Sequence, residues 1–149
     1  MPTAHVVFAT ITGNNEDVAD IVTEKLSALG CQVTETEISQ TDAAEFEQAD
    51  ICVVCAYTYD EGSLPDEGLD FYEDLQTLKL PGKIYGVAGS GDTFYDEYYN
   101  TTVDHFEAAF QQTGATRGAT SIKINLAPDQ AAIDELDHFA EQLVAAAQA

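Results

Sequence analysis

The feature that most constrains the fold of this chain is a repeated alternation of short apolar segments with amphipathic helical patterns. Five segments rich in apolar or β-branched residues predict strands at residues 5–9, 32–38, 51–56, 83–88 and 119–126. Apolar residues at helical spacing predict helices at residues 18–29, 69–78, 103–110 and 128–144, with a short helical turn at 43–46. This alternation favours an α/β fold with an open, doubly wound parallel sheet and right-handed crossovers. A chain of 149 residues fits one domain, residues 1–149.

Three predicted loops lie where ligands bind in such a fold. Ligands of doubly wound sheets bind beyond the carboxyl ends of the strands, at the point where the strand order reverses. The loops that follow the first, third and fourth predicted strands cover residues 10–16, 57–68 and 89–96. We therefore expect the functional side chains in these three loops.

The first loop, Thr10-Ile11-Thr12-Gly13-Asn14-Asn15-Glu16, joins a strand to a helix. Backbone N–H groups at a helix start form a site for phosphate when hydroxyl and amide donors join them. The loop contains no Lys or Arg, which excludes a Walker-type phosphate loop. The glycine spacing of a dinucleotide-binding fingerprint is missing too. It also lacks the Cys and Arg that phosphatase chemistry needs, so we expect it to hold a phosphate without transferring it. The alternative is a helix N-cap at Thr12 or Asn14 that binds no ligand.

The second and third loops carry aromatic residues. Tyr57 and Tyr59 follow the third predicted strand, and Gly89-Ser90-Gly91-Asp92-Thr93-Phe94-Tyr95 follows the fourth. A planar aromatic ligand between Tyr59 and Tyr95 would gain about 0.5–1.5 kcal/mol of stacking energy per face. Gly91 would allow the backbone to approach the edge of that ring. The alternative is that these tyrosines are ordinary half-buried residues at the rim of the sheet.

Together the three loops resemble those of the flavodoxin family, in its short-chain type. The first is similar to the family's phosphate motif [ST]-x-T-G-[NT]-[TN], and Gly89-Ser90-Gly91-Asp92 with Tyr95 is similar to its G-x-G-D-x-x-Y ring-binding segment. The resemblance covers essentially the whole chain and implies a five-stranded sheet of order 2-1-3-4-5. Flavodoxin is itself the standard example of this order, with FMN at the switch between strands one and three. The fifth predicted strand carries no long polar insertion, which favours the short-chain type.

The resemblance also implies roles for individual residues. The FMN phosphate would be bound by the first loop, through Thr10, Ile11, Thr12, Gly13, Asn14 and Asn15. One face and the N5 edge of the isoalloxazine ring would lie against the second loop, with Tyr57, Thr58, Tyr59 and Asp60 in the cofactor site. The pyrimidine edge would accept from the backbone N–H groups of Ser90, Gly91 and Asp92, and Tyr95 would stack on the outer face.

Asp60 departs from the family pattern, in which many members carry Gly after the aromatic residue of the second loop. In the family this peptide flips on reduction, so that its carbonyl accepts from the N5–H of the semiquinone. The flipped turn needs a positive φ, which Gly adopts freely and Asp only at some cost. We therefore expect the neutral semiquinone to be less stabilised here than in relatives that carry Gly.

The three loops offer no general base, nucleophile or metal cluster, so we expect neither catalytic residues nor a metal site, and the cofactor carries the chemistry. The expected function is that of a low-potential one-electron carrier, not an enzyme. It would cycle non-covalently bound FMN between semiquinone and hydroquinone and shuttle electrons between redox enzymes. One alternative is an accessory flavoprotein dedicated to one enzyme. Another is a receiver domain. That domain needs an acidic pair after strand one, an Asp at the end of strand three and a Lys at the end of strand five. At these three places the chain has Thr10, Tyr57 and Asn125-Leu126-Ala127, respectively.

The chain is strongly acidic, with 27 Asp and Glu residues, 5 Lys and Arg residues and a formal net charge of -22. Such a surface repels nucleic acid and anionic membranes and favours basic partners. Several acidic residues fall in the ring-binding loops: Glu61, Asp66, Glu67, Asp92, Asp96 and Glu97. They predict a lowered potential and a transient acidic interface for basic redox proteins, a reductase and an acceptor. The alternative is that the acidity serves solubility alone.

The N-terminus resembles no signal peptide and no apolar run reaches membrane-spanning length, so we expect a cytoplasmic monomer. Cys52-Val53-Val54-Cys55 has C-x-x-C spacing, but it lies in a predicted strand, whereas redox thiolates are stabilised at helix N-termini. Residues three apart in a strand point to opposite faces, so two buried structural cysteines are expected. His5, His105 and His138 are expected to be structural or surface residues.

Overall fold

The computed structural model describes residues 2–9, 14–56, 68–91, 101–125 and 128–148. Its strands are β1 (Thr3–Ala9), β2 (Gln32–Glu37), β3 (Ile51–Ala56), β4 (Ile84–Gly91), β5 (Thr116–Arg117) and β6 (Ile122–Asn125). Its α-helices are α1 (Asn14–Ala28), α2 (Leu69–Thr77), α3 (Thr101–Thr113) and α4 (Gln130–Gln148). Two 3₁₀ helices cover Ile38–Gln40 and Ala43–Gln48, the second at the predicted helical turn.

The strands form one parallel sheet in the order β2-β1-β3-β4-β5, with β6 also paired to β4. This confirms the predicted doubly wound fold and its strand order. From β1 the chain moves outward to β2 and then returns to the other side of β1 as β3. The order therefore reverses between β1 and β3, the point at which such folds bind ligands.

The fifth strand position is filled by two short segments, whereas the sequence predicted one strand at residues 119–126. Thr116 pairs with Ile84 and Ile122 pairs with Ala88, so the outer segment holds two more residues than β4 between these pairs. Thr116 and Arg117 are exposed, and no apolar pattern marks them as a strand. Leu126 lies outside the described residues.

Strand β4 extends three residues beyond its predicted end. Gly89, Ser90 and Gly91 were predicted to lie in a loop, and that prediction is wrong, because they form the last residues of the strand. They pair with Lys123, Ile124 and Asn125 of β6, respectively. Small residues carry no hydrophobic pattern, so this extension depends on pairing with a strand that is distant in sequence.

Helices cover both faces of the sheet and form two apolar layers. Helices α1 and α4 pack against one face, in a cluster that includes Leu26, Val53, Cys55, Phe139 and Leu143. Helices α2 and α3 pack against the other face, in a cluster that includes Cys52, Val54, Phe71, Phe106 and Phe110. Strand β3 is buried along its whole length, as expected for a central parallel strand.

The close approach of α4 to β4 depends on the absence of a side chain at Gly86. A Cβ atom at this position would lie 2.6 Å from Cζ of Phe139 and 3.0 Å from Cδ2 of Leu143. Both contacts are with large side chains that are themselves fully buried. Glycine therefore sets the distance between the helix and the sheet here.

Candidate functional site

The carboxyl ends of β1, β3 and β4 lie side by side at one edge of the sheet. Ala9, the last residue of β1, pairs with Ala56, the last residue of β3. Strand β3 pairs in parallel with β4, which extends to Gly91. The first, second and third loops therefore leave neighbouring strands at the same edge, as the sequence predicted.

Helix α1 begins at this edge, with Asn14 five positions after Ala9, the last residue of β1. It is 15 residues long, and the N–H groups of its first turn have no partners within the helix. These groups and the positive end of the helix dipole favour an anion at the helix start. The sequence places neutral hydroxyl and amide groups at residues 10–14, and donors of this chemistry fit a phosphate monoester.

Asn15, in the first turn of α1, connects this helix to the end of β4. Its Nδ2 donates to the carbonyl oxygen of Ser90 at 3.3 Å, and its Oδ1 accepts from the N–H of Ser90 at 2.9 Å. Asn15 is 2% exposed and Ser90 is 3% exposed. The first turn of α1 and the end of β4 are therefore joined by a pair of buried hydrogen bonds between residues 75 positions apart in the chain.

Polar contacts also fasten the edge of the sheet to α3, the helix that follows the third loop. Glu107 accepts from Nη1 of Arg117 at 2.7 Å and from the hydroxyl of Ser121 at 2.6 Å. Nζ of Lys123 lies 2.8 Å from Oδ2 of Asp104. Lys123 is the strand partner of Gly89, so these contacts support the strand that pairs with the glycine-containing end of β4.

The cysteines have the structural character that the sequence predicted. Cys52 and Cys55 are fully buried in β3 and belong to the clusters on opposite faces of the sheet. Burial raises the pKa of Cys52 to about 12 and also raises the pKa of Cys55. Both thiols therefore stay protonated at neutral pH, which makes them poor nucleophiles.

The histidines also lie where a structural or surface role was predicted. His5 is buried in β1, with Nε2 2.7 Å from the hydroxyl of Thr36 and the ring edge-on to Phe46. Burial lowers the pKa of His5. The side chains of His105 in α3 and His138 in α4 are exposed.

Several predicted site residues lie outside the described residues: Thr10, Ile11, Thr12, Gly13, Tyr57, Thr58, Tyr59, Asp60, Asp92 and Tyr95. The same holds for the side chain of Asn14 and for the acidic residues of the ring-binding loops. The roles of these residues remain predictions. Of the predicted site residues, the structure brings together Asn15 and Ser90, a contact that the sequence did not predict because nothing in the linear pattern links the two positions.

In the part of the chain that the structure describes, no group of three or more His, Cys, Asp or Glu residues is arranged to hold a metal ion. No helix among the described residues is both long and apolar enough to cross a membrane.

Comparison with known proteins gives a consistent result. The flavodoxin family model matches residues 6–139. "Probable flavodoxin 2" of Bacillus subtilis (strain 168) is 36% identical over 138 residues, which cover 92% of this chain and 91% of that protein. A short-chain flavodoxin associated with a non-canonical PDU bacterial microcompartment is 64% identical, with a TM-score of 0.97 over 99% of both chains. The flavodoxin of Streptococcus pneumonia TIGR4 is 51% identical, with a TM-score of 0.94 over 97% of this chain and 99% of that chain.

The matched region includes the first loop, the ends of β1, β3 and β4, and the Asn15–Ser90 contact. The same donor chemistry fits the phosphate of FMN, the cofactor of this family. The alternative of a receiver domain is therefore set aside. The chain belongs to the flavodoxin family, whose members bind FMN and transfer electrons between redox proteins rather than act as enzymes.

Proposed function

We propose that this chain is a low-potential one-electron carrier that cycles non-covalently bound FMN between its semiquinone and hydroquinone forms. The observation that carries the proposal is the convergence of the start of α1 with the ends of β1, β3 and β4, in a chain of the flavodoxin family. When bound, FMN supplies the redox chemistry. The protein binds and orients it and sets the electrostatic environment.

The first loop anchors the phosphate in this proposal. Thr10, Thr12 and Asn14 donate from hydroxyl and amide groups, and the first N–H groups of α1 complete the donor set. Hydrogen bonds to a charged acceptor contribute about 1.5–3 kcal/mol each. With no Lys or Arg in the loop, the phosphate serves as a handle and undergoes no reaction.

The second and third loops hold the ring in this proposal. Tyr59 and Tyr95 stack on its two faces, Tyr57, Thr58 and Asp60 line the side near N5, and Gly91 and Asp92 offer backbone N–H groups to the pyrimidine edge. Gly91 ends β4, a position consistent with such an approach.

The acidity of the chain supports a low potential. The formal net charge of -22 opposes the addition of negative charge to the cofactor. For one carboxylate ~10 Å away and an effective dielectric constant of ~40, the repulsion is about 0.8 kcal/mol. That corresponds to a decrease of about 35 mV in a one-electron potential. The same charges favour a small, transient interface with a basic reductase and a basic acceptor.

We further propose that the protein works as a monomer in the cytoplasm. Its three cysteines, Cys31, Cys52 and Cys55, are free thiols, as is usual in a reducing compartment.

A spectroelectrochemical titration of the FMN-loaded protein tests the carrier function. We expect two separate one-electron steps, with the second potential below that of free FMN. A single two-electron step, or a second potential at or above that of free FMN, would contradict the proposal.

A second candidate function is a carrier dedicated to one enzyme system. It is favoured by the 64% identical flavodoxin, which is described as associated with a bacterial microcompartment. A general carrier accepts electrons from unrelated basic reductases, whereas a dedicated carrier discriminates strongly among them. Reduction rates measured with a panel of such reductases separate the two functions.

A further inference from the structure

The amide of Asn15 forms a closed pair of hydrogen bonds with the main chain of Ser90. The Nδ2 group donates to the Ser90 carbonyl at 3.3 Å and Oδ1 accepts from the Ser90 N–H at 2.9 Å. One planar amide thus engages both backbone groups of a single residue, as a neighbouring strand would. Of the common side chains, only an amide of this length presents a donor and an acceptor side by side without ionising.

Burial makes this pair energetically significant. Asn15 is 2% exposed and Ser90 is 3% exposed, so water does not readily replace either bond. Removing one partner of a buried hydrogen bond leaves the other with an uncompensated desolvation cost. The orientation of the amide is fixed too, because a reversed amide would place donor against donor and acceptor against acceptor.

The location of Ser90 gives the pair its functional meaning. Ser90 is the penultimate residue of β4 and Gly91 is its last residue. The opposite edge of this segment pairs with β6 through Ile124 and Asn125. The end of β4 is therefore held from two sides, by β6 and by the first turn of α1.

We infer that Asn15 is a positioning residue that fixes the end of β4 for the ring-binding loop, and that its side chain is not a ligand of the phosphate. The identity of the ligand rests on the proposed function, whereas the Asn15–Ser90 contact does not. The N–H of Ser90 is engaged by Asn15, so the approach to the ring edge falls to the residues that follow it.

The comparison of FMN with riboflavin, which lacks the phosphate, tests this inference. Replacing Asn15 with Leu removes both hydrogen bonds with little change in volume. We expect it to lower the affinities for FMN and for riboflavin by the same factor, roughly tenfold or more. Thr12→Val, which alters a proposed phosphate donor, is the reference variant and is expected to lower the affinity for FMN alone. Weaker binding of FMN with unchanged binding of riboflavin in Asn15→Leu would overturn the inference, as would unchanged binding of both.

Asn15→Asp provides a second variant that keeps the shape of the side chain. A neutral carboxylic acid donates through O–H and accepts through C=O, so it reproduces both bonds, whereas a carboxylate offers no donor to the Ser90 carbonyl. Burial raises the pKa of such a carboxyl group. Relative to the wild type at each pH, we expect riboflavin affinity within about threefold at pH 5 and a loss of roughly tenfold at pH 8. A ratio that stays constant between these pH values would overturn the inference.

Amide hydrogen exchange in the FMN-free protein keeps this test separate from the test of the proposed function. The Ser90 N–H is expected to be protected in the wild type and to exchange at least tenfold faster in Asn15→Leu, with the amides of β3 unchanged as an internal reference for folding. Equal protection in the two proteins would overturn the inference. If the wild type binds neither flavin but shows this difference in exchange, the proposed function fails and the positioning role of Asn15 stands.

Discussion

Replacing Glu35 with Gln is expected to stabilise the protein above neutral pH. Glu35 lies on β2 and is half-buried against α1, where it accepts from the hydroxyl of Thr23 at 2.6 Å. Burial is the main reason that the pKa of Glu35 is raised from 4.5 to about 7, and the nearby carboxyl groups of Asp20 and Glu16 also raise it. The nearby carboxylates disfavour the ionised form of Glu35 because like charges repel.

The sign and size of the effect follow from this raised pKa. The folded protein binds the proton more tightly than the unfolded chain, so the stabilisation is complete below about pH 4.5 and is lost as the pH rises through about 7. The difference between the pKa of Glu35 in the folded and unfolded states corresponds to at most about 3 kcal/mol in the free energy of unfolding. Glu35 is partly exposed, and solvent screening reduces this to about 1–2 kcal/mol. Gln keeps an acceptor for Thr23 and does not ionise, so the variant avoids the loss.

Thermal unfolding of the FMN-loaded wild type and Glu35→Gln between pH 5 and pH 8 measures the effect. The two proteins should be equally stable at pH 5, and at pH 8 the variant should unfold roughly 3–6 °C higher. Glu24→Gln is the matched control, because it removes the same charge from an exposed position on α1. The reasoning is refuted if Glu35→Gln gains no stability at pH 8, or if its gain is independent of pH and equal to that of Glu24→Gln.

Three further predictions concern packing, the second loop and the acidic surface. Gly86→Ala should destabilise the protein by about 1–3 kcal/mol in urea unfolding, because the new Cβ would lie 2.6 Å from Cζ of Phe139. Gly68→Ala is the control and should be nearly neutral, because its Cβ would make an ordinary 3.4 Å contact with Ile38. Asp60→Gly should increase the amount of blue semiquinone in a redox titration, and abundant semiquinone in the wild type that the substitution leaves unchanged would contradict the expected cost of Asp at this position. The rate of reduction by a basic reductase should fall steeply from low to moderate salt, and a rate independent of ionic strength would exclude electrostatic steering.

The fold was predictable wherever apolar residues mark their own structure. Strand β3 is a continuous apolar run, and its bounds, Ile51–Ala56, match the prediction. In α3, Val103, Phe106 and Phe110 recur at helical spacing and are fully buried. In each of these segments, the spacing of the buried apolar residues within the segment is enough to predict its secondary structure.

The fold was not predictable where pairing depends on distant parts of the chain. The Gly-Ser-Gly end of β4 and the exposed Thr116–Arg117 segment become strands because each finds a partner across the sheet. Neither segment has an alternating apolar pattern, so only the tertiary structure defines it. The same limit applies to Asn15, whose type and place in a phosphate motif indicated a ligand donor, while its contact with Ser90 depends on how α1 meets β4.

The candidate site was predictable as a location more than as a set of contacts. The alternation of strands and helices placed the three loops at one edge of the sheet, and the paired ends of β1 and β3 confirm that placement. The roles of Thr12, Tyr59 and Tyr95 depend on side-chain positions that the alternation does not determine. They rest on the resemblance of their motifs to those of the flavodoxin family.

The most direct test of the central claim is the uptake of FMN by the purified protein. A titration of the FMN-free protein, followed by flavin absorbance and fluorescence, should give saturable binding of one FMN per chain and a yellow product. Thr12→Val should bind the same amount of FMN with lower affinity, because the phosphate would lose a hydroxyl donor. A colourless protein that fails to take up FMN would contradict the account.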